Sequence, residues 1–159
     1  MRKLSVVAAS MLGFQALAAP AQAAEAPMLA TGTYTVTSVS SVELVPAGQQ
    51  CVAYVEDVVT FTGTLAGTSE TVSPAEVRFF ATCDELVAAG FSGIRSTFHA
   101  VEHLVLLDGT EATLVSVGGT DTEGNFQGTS TLRGGLHGVL HTAGVSGQSG
   151  TYEGQVIRD

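Results

Sequence analysis

From residue 31 onward, threonine, valine and serine fill runs of about seven to fifteen residues, and each run stops at a glycine-containing turn. This pattern predicts strands near 31–45, 51–65, 70–82, 94–107, 111–119, 124–133, 136–143 and 150–158, joined at Pro46-Ala47-Gly48, Ala66-Gly67, Asp108-Gly109, Glu123-Gly124, Gly134-Gly135 and Gly147 to Gly150. The helical candidate, Asp84 to Ala89 with Asp84 as its cap, is long enough only for a connecting turn. The chain therefore reads as all-β, an eight-stranded antiparallel up-and-down barrel with one short connecting helix.

Two of these strands carry polar residues where the alternation calls for apolar ones. In the second, Cys51, Ala53, Val55, Val59, Phe61 and Leu65 share one face, and Asp57 falls among them. Asp57 then either points inward, where it needs a hydrogen bond or a wet cavity, or sits at a solvated rim in a slightly shifted register. The strand Phe98 to Leu107 is apolar on both faces. One face carries His99, Val101, His103, Val105 and Leu107, and the other Phe98, Ala100, Glu102, Leu104 and Leu106. Its register places either Glu102 or His103 inside. Glu102 would give a carboxyl near apolar walls, the setting that raises a pKa and suits proton transfer, and His103 would give an imidazole acid or base. Asp57, Glu102 and His103 are thus the candidate catalytic groups, and Tyr34, Phe61 and Phe79 the candidate ligand-contacting aromatics.

The N-terminus changes the setting of this barrel. A basic start (Arg2, Lys3), an apolar stretch from Leu4 to Ala18 and the small-residue pattern Ala21-Gln22-Ala23 form a Sec-type signal peptide, with cleavage expected after Ala23. The apolar run, interrupted by Gln15 and Pro20, falls short of the roughly 20 residues that span a bilayer. Residues 24–30 read as a linker and 31–159 as a single barrel domain in a secreted product. Removing 23 of the 159 residues leaves 136, enough for one hydrophobic core. Four arginines then face fifteen carboxylates, a formal charge of −11, which repels nucleic acid and anionic membranes and favours solubility.

Cys51 and Cys83 are the only cysteines, and in an oxidising compartment they read as a disulfide. A hairpin turning at Gly67 would place them opposite each other, since paired residue numbers then sum to 134; a bulge at Pro74 would spoil that count. The four histidines form two H-x-x-x-H pairs, His99 with His103 and His137 with His141. On strands, residues four apart lie about 13 Å from each other, too far to share one zinc whose bonds span about 2 Å, so no metal site is expected. The chain has no G-x-S-x-G, H-E-x-x-H, Walker or dinucleotide motif, which argues against serine hydrolase, zincin and nucleotide-dependent activities; no cofactor is expected.

The order Val101-Glu102-His103-Leu104, Leu107-Asp108-Gly109, Leu114-Val115 and Gly118-Gly119, continued by Leu132-Arg133-Gly134-Gly135-Leu136-His137-Gly138 and Gly150-Thr151-Tyr152-Glu153-Gly154, resembles the small bacterial barrels of the allene oxide cyclase and dirigent type. The resemblance implies an eight-stranded barrel whose lumen holds an apolar small molecule, with Glu102 as an inward polar residue and a cofactor-free cyclase or isomerase activity. Gly32-Thr33-Tyr34 is similar to the lipocalin and avidin opening, but the chain contains no tryptophan to build their aromatic stack. An outer-membrane barrel would end in an aromatic residue and carry aromatic girdles, whereas this chain ends in Asp159 and is 6% aromatic. The competing reading is a non-enzymatic interaction or inhibitor barrel with a lumen filled by side chains.

Overall fold

The computed structural model describes residues 25–159, so the expected signal peptide lies outside the described residues. Eight strands, β1 (Met28–Ala47), β2 (Gln50–Phe61), β3 (Gly67–Phe79), β4 (Ser96–Leu106), β5 (Glu111–Thr120), β6 (Asn125–Gly134), β7 (Leu136–Val145) and β8 (Ser149–Arg158), pair antiparallel in chain order. The barrel closes where β1 meets β8, from Met28 opposite Val156 to Thr35 opposite Ser149. Met28 to Ala30 therefore belong to the barrel, which begins three residues earlier than the linker expected over 24–30 allowed.

The period of two fixes which side chains enter the interior. In β4, Phe98, Ala100, Glu102, Leu104 and Leu106 turn inward, and His99, His103 and Val105 are exposed. At one end the interior is packed solid: Leu65, Leu104, Leu132, Leu136, Leu140 and Val156 are essentially inaccessible and cluster with Phe61 and Leu114. Each such leucine contributes about 1.5–3 kcal/mol by burial. Tyr152 pins this end, its hydroxyl accepting from the Leu65 N–H (2.9 Å) and donating to the Thr62 carbonyl (2.6 Å). At the opposite end lie the β1–β2, β3–β4, β5–β6 and β7–β8 connections, and there the lumen stays open.

The β2–β3 hairpin differs from the expected one. Its turn is the 3₁₀ segment Gly63–Leu65, and Gly67 is already the first residue of β3, opposite Phe61. Gly63 adopts φ +83°, and a Cβ there would come within 2.4 Å of the Thr31 carbonyl, so only glycine fits. A register shift between Val55 and Val58 follows, with extra residues on β3 around Pro74. Cys51 consequently pairs with Phe79 and not with Cys83.

The disulfide forms nonetheless, Cys51 to Cys83, because the chain turns back after β3 into α1 (Cys83–Ala88). The bridge ties that excursion to the start of β2. The helix is capped by Thr82 and not by Asp84: Thr82 accepts from the Glu85 N–H, and the Glu85 carboxylate accepts from the Thr82 N–H.

Candidate functional site

Above the packed leucines the barrel keeps a cavity of about 270 Å³ that opens at the end bearing α1. Alternation supplies its walls: Val36 and Tyr34 from β1, Val55, Val59 and Phe61 from β2, Val77 and Phe79 from β3, Phe98 from β4 and Phe126 from β6. The rings of Phe98, Phe126, Tyr34 and Phe61 follow one another along the wall with successive centroids 5.1, 6.2 and 6.4 Å apart, and Phe61 continues to Tyr152 of the packed end at 5.8 Å. Neighbouring glycines make room for them. A Cβ on Gly118 would stand 2.6 Å from the Phe98 ring, and one on Gly150 would stand 2.6 Å from the Tyr34 hydroxyl.

Among the described residues three ionisable groups line this space, all of them acids: Tyr34, Asp57 and Glu102. Glu102 is buried and accepts a hydrogen bond from the Ser69 hydroxyl of the adjacent strand. Loss of solvent pushes its pKa up to about 7; the Ser69 hydrogen bond works against that rise and the nearby Asp57 charge adds to it. Burial also raises the Asp57 carboxyl, opposed by a backbone hydrogen bond. The Tyr34 hydroxyl has no hydrogen-bond partner although it is shielded from solvent, and burial pushes its pKa up to about 12. Ser116 and Ser130 share a hydrogen bond of 2.8 Å on the facing wall. A carboxylic acid that changes charge near neutrality and an unpaired phenol, set among aromatic rings, can orient a polar atom of a ligand and move a proton to or from it.

Asp57, Glu102, Tyr34, Phe61 and Phe79 all line this one cavity; the strand alternation had left open whether Asp57 points inward or to a rim and whether Glu102 or His103 lies inside. His103 does not. It projects from the outer surface of β4, 3.3 Å from Glu111, because in a strand the neighbour of an inward residue must face outward. His99, His137 and His141 are exposed as well, and His137 pairs with Asp159 at 2.7 Å. Among the described residues no group of three or more His, Cys, Asp or Glu is placed to hold a metal ion.

Several lining residues were not singled out from sequence. Phe98 lies four residues before Glu102 on the same alternation and was within reach of it; Phe126 precedes Gly128, Ser130 and Leu132 in the same way. Ser69 could be found only from the β3–β4 register.

The mouth has one unusual feature. Phe91 in the β3–β4 connection has φ +63°, a conformation that costs an aromatic residue about 1–3 kcal/mol, and its ring meets Phe79 edge-on at 6.1 Å.

Fold and cavity together define the class: a closed eight-stranded antiparallel barrel with an acidic, aromatic-walled lumenal pocket. No protein-family model matches the chain, and no curated protein sequence matches it.

Proposed function

We propose that this protein is an exported barrel that binds a small apolar molecule in its lumen and assists its isomerisation or cyclisation, in the manner of the allene oxide cyclase type it resembles. The observation that carries this reading is the cavity: an apolar, aromatic-walled space with Glu102 and Asp57 as polar groups within it. Holding a productive conformer supplies most of such catalysis, and Glu102 then serves as the proton donor or acceptor. Export is supported by the Cys51–Cys83 bridge, which persists in an oxidising compartment. The open lumen counts against an interaction barrel filled by side chains.

An engineered cavity of about 150 Å³ holds benzene, so this one encloses a ligand of about ten heavy atoms. Titration with 2-phenylethanol, followed through methyl resonances, tests the reading. Saturable shifts in wild type that disappear in Ala100→Phe and in Thr142→Phe, two variants that fill the lumen, are the expected result. Equal shifts in folded wall-filled variants would remove the lumen from the function. With a true substrate in hand, Glu102→Gln lowers turnover while leaving the fold intact.

A further inference from the structure

We infer that the ligand of this lumen is a small organic cation, an aryl- or alkylammonium of about ten heavy atoms, with its charge beside Asp57 and Glu102 and its body against Phe61, Phe98 and Phe126. This names the ligand class for the site proposed above and rests on that reading.

The charges around the cavity are one-sided. β1 contributes Tyr34, β2 Asp57 and β4 Glu102; the lining residues of β3, β5, β6 and β7 are apolar or neutral polar. Among the described residues no arginine or histidine lines it. Arg78 pairs with Glu76 and Arg158 with Asp108 outside the lumen, Arg95 lies over the Phe80 ring, and Arg133 and the four histidines are exposed. Carboxylates withdrawn from water are normally paired, and among the described residues no cation reaches half-buried Asp57 or buried Glu102, whose partner is the Ser69 hydroxyl. An anionic ligand would bring further negative charge beside Asp57 and Glu102. A neutral ligand would leave Asp57 without a counter-charge and keep Glu102 protonated. An ammonium pairs with them, while the ring faces of the aromatic wall attract it further. The strongly acidic chain also draws cations toward the mouth.

Three near-isosteric probes separate the alternatives: 2-phenylethylamine, 2-phenylethanol and 3-phenylpropionate, each titrated calorimetrically into the mature protein at about pH 8. The amine binds at least about tenfold tighter than the alcohol, and the propionate binds weakest. The double variant Asp57→Asn/Glu102→Gln, which removes both lumenal carboxylates, brings amine and alcohol to within about twofold of each other. Near pH 7, binding of the amine also releases protons, seen as a dependence of the apparent enthalpy on the buffer, because a bound cation favours ionised Glu102. If the alcohol binds as tightly as the amine, or the double variant keeps the preference for the amine, the cation proposal falls and lumenal binding stands. If the propionate binds tightest, the proposal falls as well. If none of the three binds, both the proposal and the reading under it fail.

Discussion

Replacing Glu102 by Gln will make the protein more stable, and the gain will depend on pH. In the folded state burial holds the Glu102 carboxyl protonated up to about pH 7, against an ordinary value of 4.5. An unfolded chain releases that proton near 4.5. As pH rises from 4.5 to 7 the unfolded state is increasingly favoured, and above 7 the penalty is complete. Each pH unit across that window is worth about 1.4 kcal/mol, so the full penalty is about 3 kcal/mol. Gln has nearly the same shape, can still accept from the Ser69 hydroxyl and never ionises. Its advantage is therefore near zero at about pH 4 and about 3 kcal/mol at about pH 8, which for a domain of this size is a difference in Tm of about 10 °C. Thermal unfolding of both proteins in parallel across that range measures it, and subtraction cancels other titrating groups such as Asp108, which its hydrogen bond from Arg158 holds down at about 2. A difference in Tm that stays flat with pH, or one that favours wild type at pH 8, would refute the burial of Glu102 in a water-poor lumen.

Other consequences follow from the same structure. The Cys51→Ala/Cys83→Ala variant opens a loop whose ends are 32 residues apart, and denaturant unfolding should show a loss of about 3–4 kcal/mol. Tyr152→Phe removes the hydroxyl that both donates to Thr62 and accepts from Leu65; leaving those backbone groups unpaired costs about 1–3 kcal/mol, read by the same method. Phe91→Gly relieves a positive φ and removes the ring that covers Phe79, so this variant keeps or gains stability while 2-phenylethylamine dissociates faster in stopped-flow displacement.

The barrel was legible because its strands are marked twice, by β-branched runs and by glycine turns. Asp108-Gly109 and Glu123-Gly124 stand at turns where Gly109 and Gly124 adopt φ +83° and +87°. The inward apolar set of β2 was legible for the same reason: Val55, Val59 and Phe61 keep strict alternation although β3 beside them bulges, while for Asp57 the pattern left a solvated rim open. For β4 the pattern allowed two registers, since its outer face carries Val101, Val105 and Leu107 and looks nearly as apolar as its inner one. Only the ladder to β5, with Glu102 opposite Leu114 and His103 opposite Thr113, together with the packed leucines, places Glu102 inside. The hairpin register was misread because Gly63, and not Gly67, takes the turn. A three-residue 3₁₀ turn has no sequence signature as sharp as a two-residue glycine turn. Ser69 reaches Glu102 and Phe126 reaches Tyr34 from other strands, and such proximity depends on register that single-strand periodicity does not contain.

The central claim is that an apolar small molecule occupies the lumen, and intermolecular nuclear Overhauser effects from bound 2-phenylethanol test it most directly. The account predicts contacts to the methyl groups of Val36, Val55, Val59, Val77, Leu114 and Leu140, which line the cavity. Contacts confined to the outer surface, at Leu29, Val139 and Ile157 beside His137, would contradict it.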